Sequence, residues 1–487
     1  MLRRHLLPRA AALLAALSLA GAGPLLAQRQ SAPLAPVRPA FDSADVCRGP
    51  CEPKRVWIAI GETFLINAFV LAANKIVRPE NEGFHIGLQS WKSNLQLGWN
   101  WDDNTFQTNM IAHPIHGSLY FNAARSNGMS YWEALPLPFL GSWEWEYLGE
   151  THRPALNDFF NTAFGGIALG EMSHRAASLV RDNRATGSTR VWNEIWGTLL
   201  DPMGGFNRFV NGRMNDLGPN PQEHFPSALG LTLQTGARVV GDSTGSADNP
   251  EGALTGILDL SYGDPFVTYK TPWDAFHVRA QLSLGDNLAG GGLNLLRAVG
   301  RVYGSEFTAT DASNRHQFVI WQMYDYVRNP GYVFGSQSFG FGLMSRWRAN
   351  APWSVGTSAS VQLVPISAVQ TDSATANGRA YDFGPGAGLA FAANVRHRGV
   401  VAPIASLGYR LDYIHAVSGS DADHYLQVFS AEAEVPVRAG FGIGAAYNYY
   451  MRDSKFVTRA AEFARFPEFR AYVTWNLDYR PAPVEAR

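Results

Sequence analysis

The sequence predicts an α+β chain, with an N-terminal helical domain followed by an antiparallel transmembrane β-barrel of about twelve strands. Three observations carry that expectation. The first is composition: charged residues make up 17% of 487 positions and aromatics 12%, with 48 glycines, whereas soluble domains average about 25% charged residues. The second is a mean hydropathy of only -0.13. That is too low for a bundle of membrane helices, but it suits a barrel whose polar lumen offsets its apolar wall. The third is a change of period near residue 220, from helical spacing to alternation by twos. The charge balance, 40 Lys+Arg against 41 Asp+Glu, removes the basic surface that a nucleic-acid partner requires.

The elements follow in chain order. Residues 1–27 read as a secretory signal: Arg3, Arg4 and Arg9 flank the apolar run Ala10–Ala20, and Ala27 before Gln28 offers a cleavage point. The run is too short to span a bilayer. Residues 28–55, rich in Pro and Ala, read as a linker. Cys47 and Cys51 lie in it, and in an oxidising periplasm they predict a small disulfide loop. Their spacing is wrong for thioredoxin-type exchange, and no lipobox precedes either.

Residues 56–215 read as the helical domain. Val56–Val77 is a mostly apolar stretch interrupted by Glu62, Asn67 and Asn74, which are expected to face protein or a polar cavity. Pro114 between His113 and His116 predicts a turn. Pro154 and Asn157-Asp158 open a helix reaching about Val180, with Asp158 as its cap. Gly165, Gly166 and Gly170 on that helix allow close approach of another backbone. Ser188 and Asp201-Pro202 begin two short helices.

Residues 224–480 read as the barrel. Phe276, Val278, Ala280, Leu282 and Leu284 alternate with His277, Arg279, Gln281 and Ser283. Phe469, Ala471, Val473 and Trp475 alternate with Arg470, Tyr472, Thr474 and Asn476. The segments reach the length of about 9–11 residues that a tilted membrane strand needs. Short connectors alternate with longer ones. An Arg facing lipid at mid-bilayer costs roughly 2–4 kcal/mol. The alternation therefore assigns Arg279, Arg297, Arg301, Arg410, Asp412, Glu432, Glu434, Arg470 and Asp478 to the lumen. The expected location is the outer membrane, reached through the periplasm. Expected partners are outer-membrane lipid, the insertion machinery that reads a terminal aromatic strand, and a periplasmic partner of the helical domain. We expect that domain to sit under or within the barrel mouth.

Chemistry-bearing residues concentrate in the helical third. His113 and His116 stand three apart, as metal ligands on one helical turn do. Glu171 and His174 form a Glu-x-x-His pair of the kind found in bundle carboxylate sites, although the second pair of such a site is missing. Trp143-Glu144-Trp145-Glu146-Tyr147 alternates aromatic and acidic residues, as a short strand or an interfacial segment does. Glu146 and Glu150 lie one helical turn apart and could act as a carboxylate pair. Ser126-Asn127-Gly128 matches three residues of the outer-membrane phospholipase A family, but Ala124 stands where that family has its base. The candidate catalytic residues are His113, His116, Glu146, Glu150, Asp158 and Glu171. No cofactor is expected, and the pattern leaves a metal open.

Several motifs resemble a known family. His113-Pro-x-His116-Gly-Ser-x-Tyr120-Phe-x-x-Ala124-Arg125 comes first, then Gly141-Ser-x-x-Trp145-Glu146-Tyr147 with Glu150. Asp158, Gly166-x-x-x-Gly170-Glu171 and Asp201-Pro-Met-x-Gly-Phe206-Asn207-Arg208 follow. Together they resemble the bacterial family of unknown function numbered 3943, over about residues 56–215. The resemblance implies an envelope protein in which a helical region precedes a barrel, and no particular activity. Three function classes remain. The first is a structural or solute-passing envelope barrel, and the second a membrane-embedded lipid- or glycan-modifying hydrolase using the His/Glu/Asp cluster. The third is an assembly module that binds a periplasmic partner.

Overall fold

Alternation over long segments, broken by Gly, Asn, Asp and Pro, yields twelve strands that close on themselves. They are β1 Leu229–Val240, β2 Glu251–Tyr262, β3 Phe276–Leu284, β4 Gly292–Glu306, β5 Arg315–Arg328, β6 Val333–Trp347, β7 Trp353–Gln370, β8 Tyr381–His397, β9 Ala405–His415, β10 Ala422–Arg438, β11 Phe441–Phe456 and β12 Glu462–Tyr479. Each strand pairs antiparallel with its chain neighbour, and β12 closes on β1 in the register Leu229↔Tyr479. The structure is a computed structural model that describes residues 46–47, 51–246, 251–267, 271–285, 291–308, 313–370, 379–398, 403–438 and 440–479. The expected signal segment 1–27, most of the linker, the tail 480–487 and the side chain of Asp478 lie outside the described residues.

Contacts between strands that are not neighbours identify the inner face. Asp325 on β5 meets Arg410 on β9 at 2.8 Å, and Arg279 on β3 meets Glu432 on β10 at 3.3 Å. Gln234 on β1 also donates to Glu432. Paired polar and charged groups line the lumen: Arg297 also holds Asp325, Arg410 holds Asp412, Arg238 holds Glu468, and His424 meets Asp382. Asp325, Asp382, His424 and Glu468 are fully buried. Glu434 accepts from Thr474 and Asn476 on this face, Arg301 meets Asp274, and Arg470 meets Glu468. The outer face carries exposed apolar side chains, among them Leu258, Phe341, Val361, Leu389, Ile443 and Val473.

Nine helices precede the strands among the described residues. They are α1 Val56–Val77, α2 Leu88–Leu97, α3 His113–Ser126, α4 Tyr131–Ala134, α5 Pro136–Glu144, α6 Leu156–Phe160, α7 Gly166–Val180, α8 Gly187–Leu200 and α9 Pro202–Val210. The polar residues of α1 are used internally. Glu62 accepts from Asn127 and Asn207, and Asn67 donates to Glu144 and to the Gly141 carbonyl. A disulfide joins Cys47 and Cys51.

The helices do not enter the barrel mouth. They pack on its outer wall. Successive side chains of a strand point to opposite faces, so Tyr324 and Tyr326 lie opposite the inward Asp325. Tyr324 donates to the Met110 carbonyl at 2.5 Å, and the Phe106 ring packs on Tyr326. Gln322, on the same face, accepts from Tyr131 and donates to the Phe164 carbonyl. The contact runs from rim to rim. Tyr262 and Phe276 stand at the rim that carries Leu229, and there Tyr262 donates to the Glu223 carbonyl. Tyr381 and Phe383 stand at the opposite rim, where Phe383 packs on Trp101 and Arg379 donates to the Asp102 carbonyl. The expectation failed because alternation separates the two faces of a strand without saying what covers the outer one. The lumen is already filled by its own charges.

Glycines set the seam between the two central helices. A Cβ on Gly117 of α3 would lie 1.9 Å from the Thr162 carbonyl oxygen, and one on Gly166 of α7 would lie 2.4 Å from the Gly117 carbonyl carbon. The backbones therefore touch directly, as small residues permit where helices cross. Away from the wall the helices leave apolar side chains exposed: Leu65 and Phe69 on α1, Trp192, Trp196 and Leu199 on α8, and Phe209 on α9. By length and composition α1 is apolar enough to cross a membrane.

Candidate functional site

Three short π turns converge inside the helical domain: Thr108–Ala112, Trp145–Gly149 and Asn161–Gly165. A π turn widens the helix by one residue and is found disproportionately at functional sites. The first leads into α3 and delivers His113 as its first residue. Pro114 sits where the π turn passes into α3, and the carbonyl its missing N–H would have met, that of Met110, accepts from Tyr324 instead. The expected turn at this proline is therefore an unbroken helical passage. The second π turn carries Glu146, so the Trp143–Tyr147 segment is helical rather than a strand. The third carries Thr162 and joins α6 to α7. Asp158 was expected to cap this helix. Instead α6 starts at Leu156 after Ala155, and the Asp158 side chain turns inward.

His113, Glu146 and Asp158 meet there. Each offers a ligand atom, and these atoms lie within 4.8 Å of one another. His113 Nε2 is 3.2 Å from Asp158 Oδ2, while its Nδ1 lies 3.0 Å from the Thr162 hydroxyl. Asp158 Oδ1 accepts from Asn157 at 2.6 Å. The Asn109 amide, with its nitrogen toward the carboxylates, donates to the same oxygen at 2.7 Å and to Asp102 at 3.1 Å. Its oxygen then accepts from Tyr381 of the barrel's outer face at 2.6 Å. Glu146 Oε2 accepts from the Ala155 N–H at 2.7 Å, while Oε1 is buried without a partner.

The charge in this centre is unbalanced. Asp102, Glu146, Glu150 and Asp158 act on one another, and His113 stands among them, with Arg379 acting on Asp102 from the barrel side. Burial raises Glu146 well above the ordinary carboxylate value, and the charges of Glu150 and Asp158 add to the rise. Burial and Asp158 push Glu150 to about 8. Asp158 rises to about 6, because burial outweighs the attraction of His113. Burial works to lower His113, but the pull of Asp158 prevails and raises it. At neutral pH such a cluster holds either protons or a cation.

The other predicted residues stand apart. His116 lies beside the cluster with its ring edge-on to Trp145. The Tyr120 hydroxyl gives its proton to Asn67, which leaves His116 Nε2 as the donor to Tyr120 at 2.9 Å. Burial and the neighbouring His113 push His116 down to about 3, so it stays neutral. Glu171 lies between Arg125 at 2.7 Å and Arg175 at 2.8 Å. Burial tends to raise it, but the two guanidiniums hold it below its ordinary value. His174 faces Asp201 at 3.6 Å. The Glu-x-x-His pair thus turns to separate partners. Ser126 donates to the Asn122 carbonyl and accepts from Asn207, with no base beside it. Sequence reasoning missed the supporting roles of Thr162 and Asn157. The glycine pair Gly165-Gly166 was the available signal, since it draws this segment against α3.

Residues 98–203 match the family model of a domain of unknown function, DUF3943. No curated protein matches the chain. Among solved structures, the NanC porin is similar at 11% identity, over 51% of this chain and 100% of its own, with a TM-score of 0.26. The β domain of the Bordetella autotransporter BrkA is similar at 12% identity, over 51% of this chain and 100% of its own, with a TM-score of 0.25. A loop-deletion form of OmpT, an outer membrane protein of Vibrio cholerae, is similar at 8% identity, over 52% of this chain and 100% of its own, with a TM-score of 0.21. The twelve-strand barrel itself rests on the strand pairing described above.

Proposed function

We propose that this chain is an outer-membrane protein in which a filled barrel anchors a bilayer-embedded helical domain, and that the helical domain hydrolyses an envelope lipid. The observation that carries this reading is where the His113–Glu146–Asp158 centre stands. It is tied through Asn109 to Tyr381 on the outer wall of the barrel, the face that lipid covers elsewhere. A domain lying along that wall from rim to rim shares the depth of the bilayer. The exposed apolar residues of α1, α8 and α9 support the same placement, because Trp and Leu on an outward helix face suit acyl chains and their interface. A centre held at that depth has lipid as its neighbouring phase.

The test uses the refolded full chain in vesicles of phosphatidylethanolamine and lipopolysaccharide. Fatty acid or headgroup release is expected, and Glu146→Gln should lower it by about 100-fold or more. Absence of any released product with the folded protein overturns the hydrolase reading. The solute-passing alternative is tested separately in a planar bilayer. A lumen closed by the Arg297–Asp325–Arg410 and Arg238–Glu468 pairs should show no steady conductance. Stable channel steps from the intact chain would overturn the description of the barrel as an anchor.

A further inference from the structure

We infer that His113, Glu146 and Asp158 form a binding site for one divalent cation, Zn2+ or Mn2+, at the centre to which the hydrolase reading assigns the chemistry. The inference rests on that reading only for the cation's use; the site itself stands on geometry. Three ligand atoms within 4.8 Å of one another have a common centre no more than about 3 Å from each, and bonds of about 2.0–2.2 Å need only a small closure around it. The pair His113 Nε2 and Asp158 Oδ2, at 3.2 Å, already has the spacing of roughly 3.3 Å that adjacent tetrahedral ligands have at such bond lengths. One imidazole with two carboxylates is a donor set that Zn2+ and Mn2+ both accept.

The outer contacts match what a metal needs. Each candidate ligand has one atom held from behind; of the other three atoms, His113 Nε2 and Asp158 Oδ2 face each other at 3.2 Å and Glu146 Oε1 has no partner. His113 Nδ1 is engaged by Thr162, which leaves Nε2. Asp158 Oδ1 is engaged by Asn157 and Asn109, which leaves Oδ2. Glu146 Oε2 is engaged by the Ala155 N–H, which leaves Oε1 buried with no partner. A fully buried carboxylate oxygen without a hydrogen bond is costly, and a cation at the common centre removes that cost. Three protein ligands also leave a coordination position for water, as in catalytic sites. Such a water, having given up a proton, would attack an ester carbonyl: its oxygen would bond to the acyl carbon, the ester C–O bond would break, and the departing alkoxide would take up the proton.

The test reads binding without substrate. Refolded full chain is stripped with chelator and titrated with Mn2+, followed by the loss of the free-ion EPR signal, and with Zn2+, followed by competition with a chromophoric chelator. One equivalent per chain is expected, and Asp158→Asn should abolish it. Thr162→Val keeps all three ligands and should weaken binding by about 10–100-fold. Heat-modifiable gel migration checks the barrel, and the protease pattern of the stripped chain checks the helical domain. A folded wild-type chain that binds neither ion overturns the site, as does a folded Asp158→Asn variant that binds like wild type. Cation binding without lipid release would sink the hydrolase reading and leave the site standing. Lipid release unchanged after the chelator has removed the ion would sink the cation's part in the reaction and leave the hydrolase reading intact.

Discussion

Gly117→Ala should destabilise the helical domain by about 3 kcal/mol, the upper range for overpacking a tight contact. The added methyl would sit 1.9 Å from the Thr162 carbonyl oxygen, and backbone cannot yield as a flexible side chain can. At this domain size the loss corresponds to a melting shift of roughly 6–12 °C. The shift should appear in the helical domain alone, because Gly117 touches α7 and its π turn and no strand. Tryptophan fluorescence on heating, set beside the gel migration of the barrel, separates the two parts. A variant that melts with wild type would mean that the α3–α7 seam is looser than its geometry. Because Thr162 also holds His113, the same substitution should weaken the centre before it unfolds the domain.

Arg410→Met should have the second large effect, on the barrel. Arg410 bridges Asp325 on β5 and Asp412 on its own strand, all three buried. Asp325 keeps Arg297 after the substitution, but Asp412 loses both hydrogen bonds that Arg410 gave it. Removing one partner of a buried pair costs about 3–5 kcal/mol, because the remaining charge is stranded. Urea unfolding in detergent micelles measures it. The double variant Arg410→Met with Asp412→Leu should recover a large part of the loss, since the stranded charge is gone. If the double variant is as weak as the sum of the two single ones, Asp412 is held by something other than Arg410.

The barrel was legible in the sequence because its signal is periodic and long. In β3, and in β12 from Pro467 onward, every second residue is apolar, and the register that forms keeps Arg279 and Arg470 inside with Glu432 and Glu468. The resemblance carried by the His113 and Gly166 motifs falls on the matched stretch 98–203. The site was legible only in part. His113, Glu146 and Asp158 were each identifiable as unusual polar residues, but their grouping depends on three π turns. A π turn shifts the helical phase by one residue, and spacing rules assume a constant phase. The same rules paired His113 with His116 and Glu171 with His174. In the structure His116 goes to Tyr120, and Glu171 to two arginines from different turns. The placement of the helices outside the wall left no trace in the pattern. Tyr324 and Tyr326 look the same to a periodicity argument whether lipid or Phe106 covers them.

That outer placement has a kinetic side. The helices come first in the chain, yet the wall they lean on is assembled from strands that follow. The bond from Tyr324 to Met110 spans 214 residues, and such distant pairings form slowly because a long loop must close first. Until β2 to β8 stand side by side, the helices have nothing to dock on, and Phe106 and Tyr131 lack the Tyr326 and Gln322 partners that the wall gives them. During folding the N-terminal third is therefore a passenger until the strands of the wall arrive. Completion of the cylinder, rather than formation of the helices, sets the moment at which the two halves become one molecule.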